Sequence, residues 1–310
     1  MLDDRIIQWL LASDVSVQYQ VQRDLLGKEI PELQERIAGE GWGKRFLEAR
    51  KDNGHWGRGF YQVKWISTHY SVLDLKNLNI APGHPKLAES VAIILREQKA
   101  EDGGINPSRQ IKQSDVCING MVLNYACYFK AEEAALQSIV DFVIAQQMPD
   151  GGFNCHSNRQ GAVHSSLHTT ISILEGIQEY AANGYDYRRL ELDRMAAEAR
   201  EFILQHRLYL SDRTGEIIDK RFLMLSYPSR WRYDILRALD YFRAAKIDLD
   251  PRMEPALDVL KKKQRADGAW PVQAKHPGQV HFDMEQTGSP SRWNTLRALR
   301  VLNHFGEAGR

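Results

Sequence analysis

The sequence has few cysteines, no long apolar run and almost no net charge. Its 310 residues include Cys117, Cys127 and Cys155 as the only cysteines, too few for a disulfide framework and typical of a reducing compartment, so we expect a cytoplasmic protein. No apolar run approaches the ~20 residues that cross a bilayer, and the acidic amino terminus lacks a signal-peptide cleavage site. With 41 basic and 40 acidic residues the net charge is +1, which provides no field to attract nucleic acid. A hydrophobic content of 43% excludes a disordered chain.

A turn motif recurs along the chain. In it, Asp or Asn precedes Gly, and an aromatic or aliphatic residue follows within two positions. The copies are RKDNGHW (50–56), QKAEDGGI (98–105), QMPDGGF (147–153) and QRADGAW (264–270), with a degenerate copy SDRTGEI (211–217). Glycine supplies the positive φ that such turns need. A turn every ~50 residues indicates a repeat architecture, in which each unit covers its neighbours.

Two kinds of helix alternate between the turns. Segments before the turns, such as 85–98 and 132–147, place apolar residues on one stripe, as a surface helix does. Segments after the turns, such as NGMVLNYACYF (119–129), are apolar almost all round and predict buried helices. The pattern predicts one all-α domain over residues 1–310, a ring of about six helical hairpins with inner and outer helices.

The repeats resemble those of the terpenoid cyclase and protein prenyltransferase superfamily. Its members share an α/α toroid, whose inner helices surround an apolar cavity. The resemblance covers about Arg50 to Phe305 and implies an α/α toroid here. Type II terpene cyclases carry an Asp-x-Asp-Asp motif, which this sequence lacks, so that chemistry is disfavoured.

Residues at the start of two inner helices suggest a metal site. Arg109, Lys112, Asp115 and Cys117 form the pattern R-x-x-K-x-x-D-x-C, and His168 aligns with Cys117 when the two buried helices are superposed. Thiolate, imidazole and carboxylate are good zinc ligands, and three protein ligands leave a fourth position open, as in catalytic zinc sites. Taken singly, each residue also has a structural explanation. Cys117 could be a core residue, Asp115 an N-cap and His168 a hydrogen-bonding partner.

This pattern resembles the zinc-binding β subunit of protein prenyltransferases. The resemblance implies one Zn²⁺ per chain, held by Asp115, Cys117 and His168 as the catalytic centre, with Arg109 and Lys112 binding the diphosphate of a prenyl donor. The implied function is transfer of an isoprenoid to a thiol acceptor in the apolar cavity. The family has a tyrosine where this chain has Ile118, and it works with a helical partner subunit, so we expect such a partner or a homo-oligomer.

Further residues are candidates for the same cavity. Arg230 and Trp231 could bind an anionic head group beside an apolar pocket, and Tyr125 lies on a predicted inner helix. Three more possible metal ligands, Cys155, His156 and His164, lie between the repeats and leave the ligand set open. The alternatives are a zinc hydrolase or lyase on the same toroid, and a non-catalytic ring that binds a lipid or a protein.

Overall fold

The helices follow from the sequence pattern. The computed structural model describes residues 3–108, 110–156 and 160–306. In chain order its helices are α1 (Asp4–Leu11), α2 (Val15–Leu26), α3 (Pro31–Arg36), α4 (Gly41–Glu48), α5 (Thr68–Asn77), α6 (Pro85–Glu97), α7 (Val116–Tyr128), α8 (Glu133–Ala145), α9 (Leu167–Ala182), α10 (Arg189–Gln205), α11 (Ile235–Ala244), α12 (Glu254–Lys262) and α13 (Arg292–His304). The strands described are β1 (Trp270–Pro271) and β2 (Pro290–Ser291), which pair antiparallel. Within the described residues, no helix combines the length and apolarity that crossing a membrane requires.

The chain forms two compact units built from interleaved segments. The first unit comprises Met1–Ala49, Asn77–Ala81 and His206–Arg310, and the second comprises Arg50–Lys76 and Pro82–Gln205. Helices α11 and α13 pack together in the first unit, as α7 and α9 do in the second. The prediction of a single domain over residues 1–310 stays a prediction.

The two helix classes predicted from the apolar pattern are present in the second unit. Outer helix α6 buries the predicted stripe, with Leu87 and Ile94 at 0% exposure and Val91 at 1%. Burial of each such side chain stabilises the folded state by about 1.5–3 kcal/mol relative to leaving it exposed. Helix α7 instead buries nearly every residue, because it packs on several sides. The predicted distinction between inner and outer helices is therefore correct here.

The repeated turn ties each loop to the inner helix that follows it. Its glycines share one left-handed conformation, with φ of +85° at Gly103, +86° at Gly151 and +84° at Gly268. The turn aspartate then accepts a hydrogen bond from a serine N–H just before the next inner helix, at 2.7 Å from Ser114 to Asp102 and 2.8 Å from Ser165 to Asp150. The turn motif thus fixes where α7 and α9 begin.

A second repeated contact joins the residue after the turn to the inner helix. The backbone N–H of that hydrophobic residue donates to the side chain of the fourth helical residue. The pairs are Ile105 to Asn119 at 2.7 Å, Phe153 to Thr170 at 3.0 Å and Trp270 to Thr295 at 2.9 Å. Because these side chains satisfy buried backbone donors, the turn and the helix keep the same contact in each repeat, although the loops between them differ in length.

Candidate active site

Helices α7 and α9 approach so closely that their backbones touch. A Cβ atom on Gly120 would lie 2.5 Å from the carbonyl oxygen of Ser172, and one on Gly176 would lie 2.5 Å from the carbonyl oxygen of Gly120. Only glycine permits this approach. Cys117 precedes Gly120 by about one turn, and His168 precedes Ser172 by about one turn. The predicted ligands therefore start two helices that pack backbone to backbone, and both are second in their helix, as the alignment predicted.

The thiols of Cys117 and Cys155 lie together at this end of the two helices. The backbone N–H of Cys117 donates to Cys155 Sγ at 3.1 Å, and the Cys117 side chain hydrogen-bonds the same sulfur. Thr169 Oγ1 donates to it at 3.5 Å and accepts from the Cys155 N–H at 3.3 Å. The two cysteines are not joined by a disulfide bond, and both are half-buried. Cys155, one of the three open candidates, is thus the residue placed against Cys117.

Hydrogen bonding lowers the pKa of the Cys155 thiol. The bond with the Cys117 side chain is the largest cause, and the bonds from Thr169 and from the Cys117 N–H add to it. Burial and the negative charge of Asp115 act in the opposite direction but are outweighed. A sulfur that accepts several hydrogen bonds is stabilised as thiolate, the form that binds metals and attacks electrophiles. By contrast, burial raises the pKa of Cys127, which lies deep in α7.

Asp115 immediately precedes α7 but does not serve as a side-chain cap. Its carboxylate makes no capping hydrogen bond, while its backbone carbonyl accepts from the Asn119 side chain at 3.0 Å. Its charge acts on the Cys155 thiol and on the hydroxyl of Tyr61. The negative charge of the Asp115 carboxylate therefore acts on the thiol pair. The explanation of Asp115 as a side-chain N-cap does not apply.

A cluster of aromatic side chains lies beside the thiol pair. Tyr61 and Tyr70 hydroxyls are 3.3 Å apart, and the Tyr125 hydroxyl is 3.3 Å from His69 Nδ1. The His69 ring packs at 4.7 Å from Tyr70 and 5.7 Å from both other tyrosines. Burial raises the pKa of Tyr61, and the negative charges of Cys117 and Asp115 add to that rise. The Tyr61 hydroxyl therefore stays protonated.

His69 is a neutral imidazole in this cluster. Burial lowers its pKa to about 3, with a smaller contribution from the charge of Lys64. Its Nε2 is buried without a hydrogen-bonding partner among the described residues. Sequence reasoning did not single out Tyr61, Tyr70 and Thr169. The single signal that could have identified Thr169 was its position directly after His168.

The residues predicted to bind the substrate differ in their burial and in their place in the fold. Lys112 is exposed on the loop before α7, and Arg109 lies outside the described residues. Tyr125 is fully buried beside His69, as expected of an inner-helix residue. Arg230 is buried and Trp231 half-buried in the first unit.

The other metal-ligand candidates are less favourably placed. His156 and His164 are exposed, and each is linked to the Asn154 side chain through its backbone. His168 is half-buried, and its carbonyl accepts from Ser172 at 3.1 Å. Within residues 3–108, 110–156 and 160–306, no group of three or more His, Cys, Asp or Glu side chains is arranged to hold a metal ion. The observation that fits a soft metal is the thiol pair itself, while the complete zinc ligand set stays a prediction.

Neither a protein-family model nor a curated protein matches the chain. Solved structures match nearly its whole length, among them the following two. One is a polysaccharide lyase, 14% identical over 97% of this chain and 95% of its own, with a TM-score of 0.54. The other is a glycosyl hydrolase of family 88 from Bacteroides vulgatus, 13% identical over 94% of this chain and 89% of its own, with a TM-score of 0.53. A type II terpene cyclase from Scytonema aligns at a TM-score of 0.46, with 13% identity over 94% of this chain and 86% of its own.

The first two of these matches show the fold class. The first two structures are α/α toroid enzymes, and the chain is mostly helical with almost no strand in its described part. The chain therefore has the all-α, α/α toroid fold that the repeats predicted. Identities of 13–14% establish a fold and not an activity, because toroids host several chemistries.

Proposed function

We propose that the protein is an α/α-toroid enzyme whose reaction takes place at the paired thiols of Cys117 and Cys155. The observation that carries this proposal is the set of hydrogen bonds that converge on Cys155 Sγ, among them the one from the Cys117 N–H at 3.1 Å. A half-buried thiol with a lowered pKa beside a second thiol is unlike an inert core cysteine. Cys127, which is fully buried in α7 with a raised pKa, provides that contrast.

Zinc is the cofactor that suits this donor set. Cys117 and Cys155 would supply two soft ligands, and Asp115 or His168, at the starts of α7 and α9, would supply a third and leave the fourth position open. A zinc ion held there would supply Lewis-acid activation of a nucleophile. The hydrogen bonds from Thr169 and from the Cys117 backbone orient the sulfur of Cys155 beforehand.

Transfer of an isoprenoid from a prenyl diphosphate to a thiol is the reaction we favour. Allylic transfer develops positive charge on carbon, which electron-rich aromatic faces stabilise. Tyr61, Tyr70 and Tyr125 place three such faces around His69, beside the thiol pair. Lys112, exposed on the adjoining loop, together with Arg109 would bind the diphosphate.

A second candidate is hydrolysis or elimination at the same site. It is favoured by Tyr61, whose hydroxyl is kept protonated by burial and lies within the electrostatic reach of Cys117 and Asp115. Such a hydroxyl can donate a proton to a leaving group. The polysaccharide lyase and the glycosyl hydrolase show that the same fold supports both reaction classes.

Metal content and thiol chemistry test the site. We expect about one zinc per chain in wild-type protein, and strongly reduced occupancy in Cys117→Ser and Cys155→Ser with the helical circular dichroism signal retained. Cys127→Ser is the matched control, because it removes a thiol from the same helix without touching the pair. Metal-free wild-type protein, or equal occupancy in all three variants, would refute the zinc site.

Binding of geranylgeranyl diphosphate separates the two candidate reactions. Charge-assisted hydrogen bonds contribute roughly 1.5–3 kcal/mol each, so Arg109→Ala with Lys112→Ala should weaken binding by about 3–6 kcal/mol. Geranylgeraniol, which lacks the diphosphate, should bind both proteins equally in calorimetry. Lys86→Ala, on an exposed face of outer helix α6, is the control. Equal diphosphate affinities in wild type and double variant would remove the transferase and leave hydrolysis or elimination.

A further inference from the structure

The first turns of α13 in the first unit carry a buried indole N–H without a partner and a guanidinium group that makes a single hydrogen bond among the described residues. Trp293 is 2% exposed, and its indole Nε1 has no hydrogen-bonding partner among the described residues. Arg297 follows four positions later and so lies on the same face of the helix. An unsatisfied buried donor costs about 1–3 kcal/mol, and more when the group is charged.

Arg297 is the charged member of this pair. Its side chain is 10% exposed, and its one hydrogen bond among the described residues runs from Nε to Asp240 Oδ2 at 3.4 Å. Asp240 is already satisfied by stronger bonds, at 2.9 Å from Arg243 Nε and 2.8 Å from Arg300 Nε. The two terminal nitrogens of Arg297 therefore present a planar fork of donors without an acceptor.

Charge around this fork is unbalanced. Four arginines share the carboxylates of Asp24 and Asp240, namely Arg23, Arg243, Arg297 and Arg300. A second acid whose charge reaches Arg297 is Asp234, and it is offset by the neighbouring Arg237. The buried cluster thus carries a surplus of positive charge, which an anion would neutralise.

Aromatic rings form the adjoining surface. Tyr227 stacks on Trp293 with ring centroids 4.9 Å apart and an interplanar angle of 16°, and Trp42 packs on it at 6.0 Å and 32°. Both flanking residues are half-buried, so parts of their surfaces face outward. Flat or apolar ligand groups pack well on such rings.

We propose that Trp293 and Arg297 bind the oxyanion of a small ligand, a carboxylate or a phosphate, whose flat or apolar part lies against Trp42 and Tyr227. The indole N–H and the guanidinium fork both donate, so the complementary group must accept and carry negative charge. This site lies in the first unit and shares no residue with the thiol pair. The proposal of this anion site does not depend on the proposed reaction.

The test uses the full-length chain at low ionic strength with four probes: acetate, phosphate, benzoate and phenyl phosphate. Tryptophan fluorescence and the rise in melting temperature report binding. We expect benzoate or phenyl phosphate to bind more tightly than the matching ion without a ring, and the tighter of the two identifies a carboxylate or a phosphate ligand. Arg297→Gln should weaken the binding of that probe at least tenfold. Trp293→Phe, which keeps an aromatic ring but loses the N–H, should weaken it several-fold. Arg265→Gln, an exposed arginine of the same unit paired with Asp267, should bind like wild type.

Ligand-free stability separates this role from a structural one. Because Asp240 keeps Arg243 and Arg300, Arg297→Gln should leave the melting temperature unchanged or raise it. Arg297→Lys, which keeps the charge but loses the planar fork, should bind with intermediate affinity. No binding of any probe at millimolar concentration, equal binding by wild type and Arg297→Gln, or a large loss of ligand-free stability in Arg297→Gln would overturn the proposal.

Discussion

Replacing Gly120 by alanine should both destabilise the protein and disturb the thiol pair. The added Cβ would lie 2.5 Å from the Ser172 carbonyl oxygen, 2.7 Å from its carbonyl carbon and 2.8 Å from the Ile173 nitrogen. All three are backbone atoms of α9, so no side-chain rotation relieves the clash. The nearest contact is roughly 0.9 Å shorter than an ordinary one at about 3.4 Å, and the two helices must separate to restore it.

Two opposing energies set the size of the effect. Alanine is favoured over glycine inside a helix by about 1 kcal/mol, which would stabilise α7. Overpacking a tight core costs typically 1–3 kcal/mol, and a contact between two backbones belongs at the upper end of that range. We therefore expect Gly120→Ala to lower the free energy of unfolding by about 2 kcal/mol.

The same displacement should reach the proposed site. Cys117 is one turn before Gly120, and Thr169 is one turn before Ser172, so separating the helices lengthens the 3.1 Å bond from the Cys117 N–H to Cys155 Sγ. Losing this bond should raise the pKa of the Cys155 thiol and slow its alkylation at neutral pH.

Urea unfolding and the pH dependence of alkylation measure these two effects. Gly83→Ala is the control, because nothing lies within 4 Å of the added Cβ there. It should leave stability unchanged or slightly raised. An alanine at position 120 that stabilises the protein and leaves thiol reactivity unchanged would show that the close approach of α7 and α9 does not position the site.

Two further predictions concern buried charge and pH. Asp240→Asn should lower the free energy of unfolding by about 3–5 kcal/mol at pH 7, because it leaves Arg243 without its buried counter-ion and Arg300 with Asp24 alone. Burial alone would raise the pKa of Asp240, but the charges of these arginines hold it well below its ordinary value. Wild type should therefore lose this stability as the pH falls below about 4, and the variant should not. Burial, with Lys64, lowers the pKa of His69 to about 3, below the ~6.5 of the unfolded chain. Stability should then fall by up to about 1.4 kcal/mol per pH unit from pH 6.5 towards 3, and His69→Phe should flatten this dependence. Urea unfolding at several pH values checks both, and superimposable profiles for wild type and variant would contradict either prediction.

The sequence predicted most of what depends on local pattern. The apolar stripe of α6, the buried character of α7 and the turns at Asp102 and Asp150 follow from helical spacing and glycine conformation. Each of these signals lies within about fifteen neighbouring residues, where periodicity and turn chemistry act directly. The alignment of Cys117 with His168 also follows, because each residue lies three positions after the serine that hydrogen-bonds the turn aspartate.

Contacts made by loops could not be predicted in this way. Cys155 lies in the loop between α8 and α9, and its approach to Cys117 depends on its hydrogen bonds with Thr169. No periodic pattern governs a loop path. The buried pairing of Asp240 with Arg300 could not be predicted either. The two residues are sixty positions apart, and each lies in a helix whose pattern predicts an apolar core.

Repetition itself explains which residues the sequence could reveal. Residues that maintain the hairpins recur at fixed positions, as Asn119, Thr170 and Thr295 do at the fourth position of their helices. The second position varies instead, with Cys117 in α7, a histidine in α9 and Trp293 in α13. A scaffold that keeps this contact in each repeat can change the side chain presented at the start of each inner helix without changing the fold. Chemistry in a repeat protein is therefore best sought where the repeat is broken, which is why the thiol pair and the Trp293–Arg297 pair are the positions to test first.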